Sequence, residues 1–208
     1  MPVRKDEAIK LGKKHFGSLA KALRSHSKFL LDLFKEEDWS FVIKSHALIE
    51  AVVTQLITEH SGDSRFRTIF ERLPISDDEM GKLAVAKHLE LLTPPQRRFI
   101  RFYSTLRNNL AHKVANVNFK FSEHIAKLDN SQRKAWRESI VWFVDASDES
   151  HAYWLSASTE SPKLALWMSV FMLSALAEAS STEKKTMKEL HELAYKTGEE
   201  LFSSRKPK

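Results

Sequence analysis

Residues 38–60 contain the segment "FVIKSHALIEAVVTQLI", apolar on most sides of a helix. An α-helix has only one stripe to bury when it lies at a surface. A helix that is apolar nearly all round needs neighbours on several sides. This segment therefore predicts a central helix with others wrapped about it. A second run, "LALWMSVFMLSALA" (Leu164 to Ala177), makes the same demand. It is shorter than the ~20 residues that cross a bilayer and reads as a buried core helix.

The remaining pattern agrees. Five glycines and six prolines in 208 residues leave little material for the tight turns of a sheet-rich fold. Helix formers are abundant, and no strand is expected. The expected class is all-α, a single helical bundle. No cysteine is present, which excludes disulfides and thiolate chemistry. The N-terminus has no apolar run of signal-peptide type. A cytoplasmic setting without a membrane is the expectation.

Three regions are expected: a basic N-terminal helical segment (1–37), a helical core (38–180), and a C-terminal amphipathic helix with a basic tail (181–208). In the first, Gly12, Gly17 and "RSHS" are candidate breaks. Asp38 is a candidate cap for the central helix, and Ser61-Gly62-Asp63 its end. A short helix is expected over Phe66 to Leu73. "SDDE" (Ser76 to Glu79) reads as a capping box for a helix reaching Leu92. "TPPQ" opens the next helix, which presents Phe99, Ile100, Tyr103, Leu106 and Leu110 for burial. Short helices are expected over Ser122 to Leu128 and Ser131 to Asp145. "ASDESHAYWLSASTES" reads as a loop docked by Tyr153, Trp154 and Leu155. Ser161-Pro162 opens the apolar helix to about Ala179, and a last helix runs from about Thr182 to Phe202.

Metal-binding spacings, phosphate-cradling glycine loops and the serine-nucleophile motif are absent. No cofactor and no metal are expected. A helix-turn-helix with a basic reading helix is not evident. The net charge is +6, and its distribution matters more. No acidic residue lies between Leu91 and Ser122, where Arg97, Arg98, Arg101, Arg107, Lys113 and Lys120 fall. Arg97, Arg98, Arg101 and Lys113 are candidate nucleic-acid contacts; a solvated helix face is the plainer reading.

This acid-free stretch ends in "RNNLAH", Arg107 to His112. Asn108 and His112 are i, i+4 neighbours on one helix face. Arg107 and His112 stand ~140° apart on a straight helix. They converge only if the helix ends or kinks near Asn109, or if a second subunit supplies the other half. Histidine exchanges protons near neutral pH, and arginine offers phosphate a planar fork of donors. On RNA the 2′-hydroxyl is a built-in nucleophile, so no metal is required. The structural alternative is equally physical. Arg107 pairs with Glu50, a carboxylate set among apolar residues. The asparagines cap carbonyls, and His112 closes the helix C-terminus. A further alternative has Glu50 reaching solvent at the helix edge.

"RNNLAH" resembles the Arg-x4–6-His motif of HEPN domains, with Asn108 as the polar residue after the arginine. The span from Asp38 to Ser180 is similar to mannitol-repressor (MltR-like) and DUF4145-like helical proteins. It carries a "DWSFVIKSHALIEAVVTQLI"-type helix, then "GKLAVAKHLELLTPPQRRFIRFYSTLRNNLAH", then "SPKLALWMSVFMLSALAEAS". The resemblance implies a helical bundle, often a homodimer. It implies a metal-independent endoribonuclease or RNA-binding toxin or defence protein, leaving a cyclic phosphate. His112 would be the acid/base, Arg107 the phosphate binder and Asn108 their assistant, with an antitoxin as a possible protein partner. The alternative is a non-catalytic MltR-like transcription regulator acting through protein, RNA or DNA contacts. A purely structural interaction module is a third reading.

Overall fold

The structure is a computed structural model that describes residues 4–77, 79–112 and 114–203. Among the described residues it is all-α, with nine helices and no strand. In chain order they are α1 (Lys5–Phe34), α2 (Asp38–Ser61), α3 (Arg67–Arg72), α4 (Lys82–His88), α5 (Pro94–Ala111), α6 (Phe121–Lys127), α7 (Asn130–Ile140), α8 (His151–Glu160) and α9 (Pro162–Ser203). Single 3-10 turns precede α3 and α6.

The central position expected for α2 is where it lies. Phe41, Val42, Ile49, Val53, Leu56 and Ile57 are all buried, and α1, α3, α4, α5 and α9 pack around it. Its end is set by Gly62, whose φ of 80° is the left-handed conformation that glycine adopts without strain. Asp38 has a different role from the one expected. Its carboxylate accepts from the backbone N of Phe121 at 2.9 Å and faces Lys163 at 3.3 Å. It thus caps α6, not its own helix.

Both α2 and the Pro162–Glu200 part of α9 are long and apolar enough to cross a membrane by length and composition. Of their most apolar windows, 61% and 44% are buried within the fold. The polar "SST" near Ser180 does not break α9, which runs unbroken for 42 residues. Its polar groups are used by the end of α2: Ser180 Oγ meets His60 Nε2 at 3.4 Å, and Lys185 reaches Glu59 at 2.6 Å. Beyond them α9 runs antiparallel to α1, through Lys14–Glu189 at 2.8 Å and Arg4–Glu200 at 3.4 Å. This lateral support also explains why Gly12 and Gly17 leave α1 continuous over 30 residues.

Two further boundaries differ from the sequence reading. Among the described residues, Ser76, Asp77 and Glu79 to Gly81 form no helical first turn. The Asp77 carboxylate accepts from the backbone N of Glu79 and Met80, and α4 starts only after Gly81. A Cβ at Gly81 would lie 2.4 Å from the Asp77 carbonyl oxygen, so this close approach admits only glycine. At the other end α4 stops at His88, because Glu90 turns left-handed (φ 56°) and Leu91 N bonds back to the Ala86 carbonyl at 2.9 Å. "HAYWLSASTE" is helical, not a loop. Trp154 and Leu155 pack on the core as expected, and Tyr153 stays exposed.

Candidate functional site on the fifth helix

The α5 helix begins with Gln96 Oε1 accepting from the Thr93 backbone N at 2.7 Å, with proline in its first turn. Phe99, Ile100, Tyr103, Leu106 and Leu110 all bury against the core, as their spacing requires. The helix runs to Ala111, and His112 caps it with near-helical torsions (φ −85°, ψ −5°). No kink separates Arg107 from His112.

At ~100° per residue, Arg97, Arg98, Arg101, Thr105, Asn108 and His112 then share one outer face of α5. Arg98, Thr105, Asn108 and His112 are exposed, while Arg97 and Arg101 are half-buried. Arg97 donates to the Leu92 carbonyl, and Arg98 Nη2 to the Glu138 carbonyl at 3.0 Å. Both guanidiniums therefore have restricted positions. Lys113 lies outside the described residues. Lys120 pairs with Glu37.

Arg107 stands on the inner side of α5 and is half-buried. Its Nε donates to His46 Nδ1 at 3.3 Å, and its Nη1 to Asn108 Oδ1 at 2.9 Å. Arginine has only donors, so His46 Nδ1 must be the bare nitrogen. The other ring nitrogen, Nε2–H, then donates to Ser104 Oγ at 3.0 Å, and Ser104 donates on to the Ile100 carbonyl at 2.8 Å. Every step of this chain has one consistent direction, and it ties α2 to α5. Burial pushes the His46 pKa down to about 4, and the Arg107 charge adds to the effect. Beside it, Ser45 and the buried Tyr103 phenol share a 2.6 Å hydrogen bond.

The His46 arrangement carries a pH dependence. The unfolded chain takes up this proton near pH 6.5 and the folded chain only near pH 4, so stability is complete above 6.5 and falls with acidification towards 4. Between pH 7 and pH 5 the loss from this group is about 2 kcal/mol. His46→Gln carries no titrating proton. Its urea unfolding free energy is expected to change less over that interval than that of the wild type. Equal slopes in the two proteins would contradict the assignment.

Glu50 does not pair with Arg107. Its partner is Lys82, whose Nζ lies 2.7 Å from Glu50 Oε1. The Lys82 side chain is 1% exposed and that of Glu50 33%. The start of α4 delivers the lysine to α2, while His46 and Asn108 hold the guanidinium elsewhere. The structure thus joins Arg107 to Asn108, and places Asn108 one turn from His112 on the outer face. It does not bond Arg107 to His112 within one protomer, as the straight helix dictates.

Sequence reasoning missed His46, Ser104 and Lys82. A signal existed for the first, since His46 and Glu50 are i, i+4 polar residues in an otherwise apolar helix. Among the described residues no group of three or more His, Cys, Asp or Glu side chains is placed to hold a metal ion. Comparison with family models, curated proteins and solved structures gives no match for this chain.

Proposed function

We propose that this chain binds single-stranded RNA across the outer face of α5 and, as a homodimer that brings two such faces together, cleaves it without a metal. One observation carries the reading. Arg107, rooted on the inner side of α5, is steered by His46 until its guanidinium meets the Asn108 amide, one turn from the exposed His112. Three arginines share the outer face, and no acid lies between Leu91 and Ser122.

The chemistry follows from these groups. His112 of one protomer takes the proton of the RNA 2′-hydroxyl. The 2′-oxygen forms a bond to phosphorus while the bond to the 5′-oxygen breaks. The leaving 5′-oxygen takes its proton from water. The products are a 2′,3′-cyclic phosphate and a 5′-hydroxyl. Arg107 holds a non-bridging oxygen and offsets the charge that develops on it. The likeness of "RNNLAH" to the HEPN motif supports the same roles. A toxin or defence role with an antitoxin partner, in the cytoplasm, is consistent with such an activity.

The alternative is an MltR-like regulator that uses this face for binding alone. The tie between Arg107 and His46 favours it, because that tie also serves packing.

The binding step is tested by anisotropy of a labelled single-stranded RNA over a salt series. Affinity is expected to fall steeply with salt. Arg98→Ala is expected to weaken binding several-fold and to lower the log–log slope by about 1. A slope and affinity unchanged by Arg98→Ala would place the RNA elsewhere.

A further inference from the structure

We infer that the cleft between the end of α5 and α6 is a subsite for one nucleobase of a bound RNA strand. The inference rests on the RNA-binding reading above. The cleft has a volume of about 480 Å³, within the roughly 300–1,000 Å³ of small-ligand sites. Asn109, Asn116, Asn118, Phe119, His124 and Lys127 line it.

Three carboxamides in one cleft are the informative feature. Each offers a donor and an acceptor side by side, matching the paired donors and acceptors on a base edge. Asn116 is braced, its Nδ2 donating to the Asn109 carbonyl at 2.7 Å. Asn109 and Asn118 are exposed. The apolar wall is aromatic. The His124 ring lies 5.6 Å from Phe119 and 5.3 Å from Trp136. Burial first, and then Lys127, lowers the His124 pKa, which favours the neutral ring. A neutral imidazole stacks on a base and still makes a hydrogen bond.

Charge decides which part of a nucleotide enters. Lys120 is compensated by Glu37, and the charges of Glu123 and Lys127 along the lining offset each other, so an anion gains little inside. A neutral base suits it better than a phosphate. Asn109 stands three residues before His112, so the two are neighbours on α5. A base held at Asn109 directs the adjoining phosphodiester over the acid-free face. The subsite therefore supplies a choice of base next to the proposed cleavage position.

The test uses the full chain, isotope-labelled for amide NMR, titrated separately with AMP, UMP and ribose 5-phosphate. At least one nucleotide is expected to cause saturable shifts within residues 106–127, and ribose 5-phosphate none there. The Asn109→Ala/Asn118→Ala double variant removes two exposed side chains and is expected to bind that nucleotide at least tenfold more weakly. Equal shifts with ribose 5-phosphate would overturn the inference, as would nucleotide shifts elsewhere only, no shifts at all, or unchanged affinity in the double variant. RNA anisotropy on the same samples separates the two claims. RNA bound without any nucleotide in the cleft removes the subsite alone. Nucleotide held in the cleft without RNA binding keeps the subsite and removes the proposed function.

Discussion

Replacing Glu50 with alanine is expected to destabilise the fold by about 3–5 kcal/mol, and replacing Lys82 with methionine by less than about 1 kcal/mol. The asymmetry comes from burial. The Lys82 side chain is enclosed, at 1% exposure, and Glu50 Oε1 is its charge partner at 2.7 Å. Removing Glu50 leaves a buried cation without that partner, and little water can reach it. Removing Lys82 leaves a carboxylate that is already one-third exposed and can hydrate. Methionine also fills much of the space of the lysine stem. Urea unfolding of both single variants and of the double variant checks this. The double variant is expected to recover most of the loss caused by Glu50→Ala. Equal losses in the two single variants would show that the pair does not act through the burial of its lysine.

The second large effect concerns chemistry, not stability. His112→Ala is expected to lower the rate of RNA cleavage in EDTA by a factor of about 10²–10⁴, the usual contribution of a positioned acid/base group. RNA affinity and unfolding free energy are expected to stay near wild type, because His112 is exposed at the helix cap. Gel analysis of end-labelled RNA measures the rate and identifies the cyclic phosphate end. Cleavage at the wild-type rate by His112→Ala would assign the activity to another group.

The fold class and the inner ridge of α5 were legible because helical spacing reports burial directly. Phe99, Tyr103, Leu106 and Leu110 return to one face at every turn, whatever packs against them. What the sequence did not show depends on neighbours remote along the chain. The serines near Ser180 look like a helix end in isolation, yet His60 and Glu59 of α2 give that stretch of α9 its polar partners. The "SDDE" box was a local pattern overridden by the close approach of Gly81 to Asp77.

The candidate site divides in the same way. Asn108 and His112 share a face by arithmetic alone, and they do so here. The partner of Glu50 was not legible, since a buried carboxylate demands a cation without saying which one. The spacing of His46 from Glu50 marked it in α2, but not the arginine it would hold. Once placed there, His46 decides where the Arg107 guanidinium points.

The central claim is that Arg107 and His112 act on one phosphodiester from two copies of the chain. Mixing purified Arg107→Ala with purified His112→Ala, allowing subunits to exchange, tests this most directly. Each variant alone is expected to cleave RNA at no more than about a hundredth of the wild-type rate. Their mixed dimer retains one intact arginine and one intact histidine across the seam, and cleavage is expected to return to a sizeable fraction of the wild-type rate. A wild type that cuts RNA beside a mixture that stays inert would contradict the account.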